Sequence, residues 1–167
     1  MKILVTGGAR SGKTGHAQRL AEALGPDRVY LATAQALDDE MADRIRRHQA
    51  ERDASWTTVE APLDVASALH QPGRVVLLDC LTLWVNNLMC AELDEAAIRA
   101  RFADLVEALH AAPNPVVVIT NEVGMGIVPL NAMARQFRDL QGWLNQDVAR
   151  ACDQAWLMAS GLPLKLK

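Results

Sequence analysis

The stretch KILVTGGARSGKTGH, residues 2–16, decides the fold of this chain. An apolar run from Ile3 to Val5 passes into a glycine-rich loop and then into a helix-forming segment. The loop fits G-x-x-x-x-G-K-[ST], a pattern whose backbone N–H groups converge on phosphate oxygens while its lysine reaches the β- and γ-phosphates. It therefore predicts a nucleoside triphosphate site, with the Thr14 hydroxyl as a Mg²⁺ ligand. The predicted loop residues are Gly7, Gly8, Ala9, Arg10, Ser11, Gly12, Lys13 and Thr14.

Apolar segments alternate with amphipathic ones along the rest of the chain. The apolar segments are nearly continuous in Val, Ile and Leu, which is typical of strands buried on both faces of a parallel sheet. The predicted strands are Lys2–Thr6, Arg28–Thr33, Arg74–Asp79, Pro115–Asn121 and Gln154–Ala159, and the predicted helices are Lys13–Leu24, Asp38–Arg52, Asp94–Ala111 and Asn131–Cys152. The alternation predicts a P-loop NTPase-like α/β layered sandwich, a mostly parallel central sheet flanked by helices, in a single domain spanning residues 1–167.

Composition narrows the class of protein. Of the 167 residues, 50% are hydrophobic and 22% charged, with a net charge of −3, as in soluble globular proteins. No Lys/Arg-rich block is present to neutralise a run of phosphates, which argues against nucleic acid as a partner. The three cysteines form no CxxC pair, and no segment approaches the length of a membrane span. We expect a cytoplasmic protein without a membrane span.

Two carboxylates follow predicted strands. Asp79 ends the segment RVVLLD and would hold the metal of a triphosphate site, or else cap the helix that CLTLWVNNL could form. Glu122 follows VVVITN and opens a loop with two glycines, which is either an acceptor-substrate contact or a plain connection.

His48 lies on the inward stripe of the predicted helix Asp38–Arg52. At 100° per residue it shares that stripe with Met41, Ile45 and Arg52. By itself this pattern fits a hydrogen-bonded core or interface histidine, or a nucleophile beside cationic neighbours. His16, in the helix after the loop, is either a packing residue or a nucleotide neighbour, and the four tryptophans are core or interface candidates.

Four blocks of the chain carry a more specific signal. They are LVTGGARSGKT (4–14), YLATAQALDDEMADRIRRHQAERDASWTTVEAP (30–62), TNEVGMGIVP (120–129) and QFRDLQGWLNQDVARACDQAWLM (136–158). Together they closely resemble the bifunctional adenosylcobinamide kinase / adenosylcobinamide-phosphate guanylyltransferase family. The resemblance implies phosphorylation of adenosylcobinamide by ATP or GTP, followed by transfer of GMP from GTP to adenosylcobinamide phosphate through a GMP-histidine intermediate. It also implies a homotrimer.

The same resemblance implies roles for individual residues. The catalytic set is His48 as the nucleophile with Lys13 and Asp79, and the metal ligands are Thr14 and Asp79. Besides the loop, nucleotide contacts fall on Ala32, Thr33, Ala34, Gln49, Ala50, Glu51, Arg52, Glu60 and Asp79. Some relatives carry Glu at the last position, so Asp79 presents its carboxylate on a shorter arm. The alternatives are a P-loop small-molecule kinase without guanylyl transfer and a nucleotide-dependent switch without an acceptor.

Overall fold

Every strand of the described chain belongs to one sheet. The computed structural model describes residues 1–35 and 53–167. The strands are β1 (Lys2–Gly7), β2 (Arg28–Ala32), β3 (Trp56–Glu60), β4 (Val75–Asp79), β5 (Val116–Ile119), β6 (Gln154–Ala159) and β7 (Leu162–Lys165). They lie in the order β3-β2-β4-β5-β1-β6-β7, and each neighbouring pair is parallel except β6 with β7. The mostly parallel α/β sheet predicted from the sequence is confirmed.

Helices cover both faces of this sheet. They are α1 (Lys13–Leu24), α2 (Val65–Ala68), α3 (Leu81–Cys90), α4 (Glu95–Ala111) and α5 (Ala132–Ala151). Alternate residues of the strands point to opposite faces. Ile3, Val5 and Leu77 pack with Ala17 and Ala21 of α1. On the other face the strands pack with side chains of α2 to α5, so the core consists of two apolar layers separated by the sheet.

The long helices form where the sequence supplies both a cap and an apolar stripe. Asp94 precedes α4 and its carboxylate accepts a hydrogen bond from Ala97 N at 2.8 Å. Asn131 does the same for α5, accepting from Ala134 N at 3.1 Å. Such a cap contributes about 1 kcal/mol to stability. The buried side chains of α4, namely Ile98, Phe102, Leu105 and Leu109, recur at helical spacing and fix the face that meets the core.

The predicted elements agree with the structure to within one or two residues at each end. All five predicted strands are present, as are the helices Lys13–Leu24, Asp94–Ala111 and Asn131–Cys152. The predicted helix Asp38–Arg52 lies outside the described residues. The prediction omitted β3, β7 and the single-turn α2, and it offered α3 only as an alternative to a metal role for Asp79.

The strand register brings the carboxyl ends of the parallel strands to one edge. Val5 pairs with Ile119, Ile119 with Asp79, Asp79 with Ala32, and Ala32 with Glu60. The loop that follows β1 therefore leaves the sheet at the same edge as Asp79 and Glu60. In open α/β sheets this edge is where ligands bind.

Candidate active site

The glycine-rich loop joins the middle of the sheet to the start of α1. β1 lies between β5 and β6, and α1 begins at Lys13 directly after its N-cap residue Gly12. Unlike α4 and α5, α1 has no side-chain hydrogen bond at its N-cap. The first N–H groups of the helix are therefore not capped by a side chain and retain the positive end of the helix dipole for an anion.

Two glycines of this loop occupy positions that disfavour a side chain, Gly7 because of a close contact and Gly12 because of its positive φ. A Cβ on Gly7, at φ +151°, would lie 2.5 Å from Met158 O and 2.8 Å from Ser11 Oγ. Gly12 has φ +89°, and its Cβ would lie 3.4 Å from Gly161 Cα. Gly161 N donates a hydrogen bond to Ser11 O at 3.1 Å. The turn between β6 and β7 thus supports the loop from outside.

Lys13 bends back over the loop. Its side chain is buried, and Nζ donates to Gly8 O at 2.5 Å and lies 3.5 Å from Ser11 Oγ. The ammonium therefore lies above the backbone that the motif assigns to phosphate binding. Thr14, the next residue, is half-buried in the first turn of α1. The placement fits the predicted roles of both residues, which stay predictions.

Asp79 is fixed at the carboxyl end of β4 by contacts from β2. Its Oδ2 accepts a hydrogen bond from the Tyr30 hydroxyl at 2.6 Å, and its main-chain oxygen accepts one from Thr33 N at 3.1 Å. Because α3 begins at Leu81 with Cys80 as its N-cap, the alternative interpretation of Asp79 as a helix cap is wrong. The carboxylate points to the same face of the sheet as Tyr30 and α1, because alternate residues of β4 belong to the cluster on that face.

Thr33 joins the ends of β2 and β4. It is fully buried, and its Oγ1 donates to Cys80 O at 2.8 Å and accepts from Cys80 N at 2.9 Å. Its main-chain oxygen accepts from Asn87 Nδ2 at 2.8 Å. Thr33 therefore holds the strand ends together, and its hydroxyl is engaged within the protein. Its neighbours Ala32 and Ala34 occupy the same edge.

Glu60 stands beside this group on the edge strand β3. Its side chain is exposed, and it borders a cavity of about 510 Å³. The cavity is lined by Glu60, Ala61, Pro62, Leu63, Asp64, Ser67 and Ala68. The wall is mostly apolar, with carboxylates from Glu60 and Asp64.

The loop that follows β5 is tied to the phosphate loop. Glu122 N donates to Gly7 O at 3.1 Å, and the Glu122 carboxylate accepts from Gly124 N at 2.6 Å. Beyond Glu122 the loop exposes large apolar side chains. The exposed residues are Met125 (81%), Ile127 (97%), Val128 (60%), Leu130 (100%) and Met133 (66%). We call this segment, residues 122–133, the apolar loop.

A buried polar network under the apolar loop was not predicted from the sequence. Gln141 Nε2 donates to Thr120 Oγ1 at 2.9 Å and to Asn145 Oδ1 at 2.8 Å, and Asn145 Nδ2 donates to Asn121 O at 3.0 Å. Thr82 Oγ1 accepts from Asn121 N at 2.9 Å. The signal was the i, i+4 pair of amides on the otherwise apolar face of α5. The network fixes the main chain immediately before Glu122.

The histidine predicted as nucleophile and its neighbours are not among the described residues. The predicted site residues that fall outside the described ranges are His48, Gln49, Ala50, Glu51 and Arg52. His16 packs edge-on against Trp156, with ring centroids 5.3 Å apart, which supports the packing interpretation. Burial and the nearby Arg19 lower the pKa of His16, so its imidazole is neutral at neutral pH.

Trp84 is the one tryptophan that is fully buried, and Trp143 is the most exposed of the four. Trp84 is 1% exposed within the core, and Trp143 is 38% exposed with the Arg99 guanidinium 4.4 Å above its ring. Among the helices of the described ranges, none combines the length and the apolar character that crossing a bilayer requires.

Proteins of known structure share this fold. The RadB recombinase superimposes with a TM-score of 0.54 at 16% identity, over 93% of this chain and 73% of the recombinase. A Pyrococcus horikoshii OT3 protein superimposes with a TM-score of 0.53 at 10% identity, over 99% of this chain and 85% of that protein. At these identities the likeness shows the fold alone.

Sequence relatives are much closer. In an alignment of 182 positions, the chain is 46% identical to the bifunctional adenosylcobalamin biosynthesis protein CobU of Salmonella typhimurium. In an alignment of 184 positions, it is 45% identical to the protein of the same name from Escherichia coli. Both alignments cover all of both chains. CobP of Pseudomonas aeruginosa is 42% identical over 170 residues, which is all of this chain and 98% of CobP. The family model "Cobinamide kinase / cobinamide phosphate guanyltransferase" matches residues 3–166. The chain therefore belongs to this family of bifunctional enzymes.

Proposed function

We propose that the chain performs both reactions of its family at the one phosphate loop, as a single domain spanning residues 1–167. In the first, ATP or GTP phosphorylates adenosylcobinamide. In the second, GMP passes from GTP to adenosylcobinamide phosphate, giving adenosyl-GDP-cobinamide and pyrophosphate. The observation that carries the proposal is the start of α1, where no side chain caps the helix, Gly7 and Gly12 keep the backbone open, and Lys13 bends over it.

In the kinase step the loop and Lys13 position the triphosphate. The N–H groups of the loop and the ammonium of Lys13 would bind the β- and γ-phosphate oxygens and stabilise the negative charge that grows there. The acceptor hydroxyl then attacks the γ-phosphorus and the nucleoside diphosphate leaves. Positioning and electrostatic stabilisation supply most of the catalysis in such reactions.

Mg²⁺ would lie between the start of α1 and the end of β4. The donors that these elements offer are the Thr14 hydroxyl and the Asp79 carboxylate, both of which are hard oxygen ligands suited to this ion. Such sites use one or two protein ligands together with phosphate oxygens. When bound, the ion supplies charge neutralisation at the phosphates.

In the guanylyl transfer step His48 acts as the nucleophile. An imidazole nitrogen attacks the α-phosphorus of GTP, the bond to the bridging oxygen breaks, and pyrophosphate leaves with the electron pair. A phosphate oxygen of the acceptor then displaces the histidine and receives GMP. Capturing GMP covalently divides one displacement into two easier ones. The remaining proposed nucleotide contacts are Ala32, Thr33, Ala34, Gln49, Ala50, Glu51, Arg52 and Glu60.

The covalent step has a direct test. The protein is incubated with Mg²⁺ and GTP labelled at the α-phosphate, denatured, and analysed for bound label and for mass. We expect one guanylate per chain, labile to acid, which is lost in His48→Ala and retained in the control His110→Ala, a variant in the last turn of α4. If the wild-type protein phosphorylates adenosylcobinamide but never acquires guanylate, the chain is a kinase alone. If it binds GTP and neither reaction occurs, it is a nucleotide switch.

We propose that the apolar loop contacts the acceptor. It begins at the phosphate loop through the bond between Glu122 N and Gly7 O, and Ile127 is almost fully exposed. Ile127→Ser should raise KM for adenosylcobinamide several-fold and leave KM for GTP unchanged. The control is Leu166→Ser, an exposed leucine beside the amino end of β6. An equal rise of KM in both variants would remove the loop from the acceptor site.

We further propose a cytoplasmic homotrimer. The three thiols of Cys80, Cys90 and Cys152 are free, which suits a reducing compartment. The helix α5, with Trp143 partly exposed, and the segment around His48 are the proposed contacts between subunits. Light scattering coupled to size-exclusion chromatography measures the mass directly, and a mass of one chain of 18.2 kDa would refute the trimer.

A further inference from the structure

Tyr30 forms a partly buried hydrogen bond to one of the proposed catalytic carboxylates. Tyr30 is the single tyrosine of the sequence, lies in β2 and is 6% exposed. Its hydroxyl donates to Asp79 Oδ2 at 2.6 Å. A hydrogen bond from a neutral donor to a carboxylate at this distance is charge-assisted and stronger than one between neutral groups. It engages one carboxylate oxygen and leaves Oδ1 outside this bond.

The phenol is itself held in place. Its ring contacts the ring of Trp56 on the adjacent strand β3 edge-on, with centroids 6.4 Å apart and planes at 74°. The Arg28 guanidinium lies 5.5 Å from the Trp56 ring on the same strand pair. Tyr30 pairs with Leu77 in the sheet, two residues before Asp79 on β4. The donor therefore approaches Asp79 from a rigid strand rather than from a loop.

The main chain of Asp79 is fixed by the residue that follows the same strand. Thr33 N donates to Asp79 O, and Thr33 Oγ1 bonds both Cys80 O and Cys80 N. Thr33, the residue after β2, thus fixes the backbone of Asp79, and Tyr30 within β2 fixes its carboxylate. The hydrogen bond from Tyr30 favours one orientation of the carboxylate.

We propose that Tyr30 is a positioning residue, which orients the Asp79 carboxylate so that Oδ1 faces the metal of the nucleotide complex. This inference rests on the proposed metal role of Asp79. Groups that hydrogen-bond to a metal ligand fix its direction, and their loss typically costs about 10- to 100-fold in metal affinity or activity. The competing explanation is that Tyr30 is a core residue, and that its hydroxyl hydrogen-bonds to Asp79 only because a buried hydroxyl needs a partner.

Tyr30→Phe separates the two explanations, because it keeps the ring and removes the donor. The readout is the binding of Mn²⁺ to the complex of the protein with GDP, followed by the electron paramagnetic resonance signal of free Mn²⁺. We expect the dissociation constant of Mn²⁺ to rise about 10- to 100-fold, while the affinity for GDP in the presence of EDTA changes less than about twofold. An unchanged Mn²⁺ affinity overturns the inference.

A matched control addresses loss of stability. Trp84 Nε1 donates a partly buried hydrogen bond to Leu63 O at 2.9 Å on the opposite face of the sheet. Trp84→Phe removes that donor and should lower the urea midpoint without changing the Mn²⁺ affinity. If Trp84→Phe weakens Mn²⁺ binding as much as Tyr30→Phe does, the effect is general destabilisation and the inference fails.

Asp79→Asn, alone and combined with Tyr30→Phe, shows whether the tyrosine acts through the aspartate. In the Asp79→Asn background the second substitution should change the Mn²⁺ affinity less than about twofold, because residues that act as a unit are not additive. An undiminished effect in that background overturns the inference. If Asp79→Asn alone leaves Mn²⁺ affinity unchanged, the proposed metal role of Asp79 fails first.

The single tyrosine also gives a spectroscopic signature. The Fermi doublet of the tyrosine ring in ultraviolet resonance Raman spectra reports whether the hydroxyl donates a strong hydrogen bond. In this protein the doublet comes from Tyr30 alone, because the sequence contains one tyrosine. The doublet should indicate a strong donor in the wild-type protein and shift in Asp79→Asn. A doublet that is identical in both proteins contradicts the bond on which the inference stands.

Discussion

Replacement of Gly7 by alanine should damage the phosphate loop more than any neighbouring glycine substitution. The added Cβ would lie 2.5 Å from Met158 O and 2.8 Å from Ser11 Oγ. The serine hydroxyl can rotate away, but Met158 is the register partner of Gly7 in β6 and its carbonyl belongs to the sheet backbone. Relief of the contact therefore requires β1 and β6 to separate locally.

The magnitude has two parts. A non-glycine residue at positive φ costs about 1–2 kcal/mol, and forcing an extra methyl group into a packed site costs typically about 1–3 kcal/mol. Gly7→Ala should therefore lower the free energy of unfolding by about 2–5 kcal/mol. Two further variants, Gly73→Ala and Gly8→Ala, separate these two contributions. At both positions the added Cβ would meet no atom within 4 Å, but only Gly73 has a positive φ, of +79°.

Urea unfolding followed by tryptophan fluorescence measures all three variants. Gly8→Ala should change the free energy of unfolding by less than about 1 kcal/mol, Gly73→Ala should show the backbone strain alone, and Gly7→Ala should exceed both. Equal urea dependences of the three transitions would show that the variants differ in stability rather than in the surface exposed on unfolding. If Gly7→Ala is no less stable than Gly73→Ala, the contact with Met158 O does not exclude a side chain and the reasoning is refuted.

Three further outcomes are expected. Lys13→Ala should abolish both kinase and guanylyl transfer, and full activity in either assay would contradict the shared phosphate loop. Chelation by EDTA should stop both reactions and excess Mg²⁺ should restore them, whereas turnover in EDTA would exclude the metal role. At pH 8 iodoacetamide should alkylate Cys90, which is exposed. Burial raises the pKa of Cys80 to about 11 and of Cys152 to about 12, so these thiols stay protonated and unmodified until the protein unfolds. Mass spectrometry that finds three adducts on the folded protein would contradict their burial.

The central strands were predictable because strands that are buried on both faces consist almost entirely of apolar residues. β1, β4 and β5 are covered on both faces, so each is an uninterrupted apolar run that only a buried strand or helix explains. The edge strands carry no such pattern. β3 has no fully buried residue and no regular alternation, with Thr57 and Thr58 both exposed. β7 is exposed throughout and contains Pro163, which a central strand would not tolerate.

The helix α3 was hidden for the opposite reason. Its buried residues Leu81, Trp84, Val85 and Leu88 recur at helical spacing, but Leu83 and Cys90 add apolar side chains on the opposite side of the helix, so the stripe is less distinct in the sequence. α5 was predictable from its stripe, yet the two amides within that stripe gave no sign that they would meet the end of β5.

At the candidate site, the sequence revealed the phosphate loop through its fixed spacing. It did not reveal Tyr30, because the pairing of Tyr30 with Asp79 depends on the adjacency of β2 and β4, which follow one another in space but not in the chain. The same holds for the contact between Ser11 and Gly161, which joins residues 150 positions apart. Such pairs follow from topology rather than from any local pattern.

That last contact has a consequence for synthesis. The phosphate loop is translated well before β6, the strand beside β1, and before the turn that supports Ser11. A nascent chain that has just emerged through β5 holds β1 against one neighbour only, with Gly7 facing no partner carbonyl. A fragment that ends after β5 should therefore bind GTP more weakly than a chain that includes Gly161, because the loop lacks its outer support.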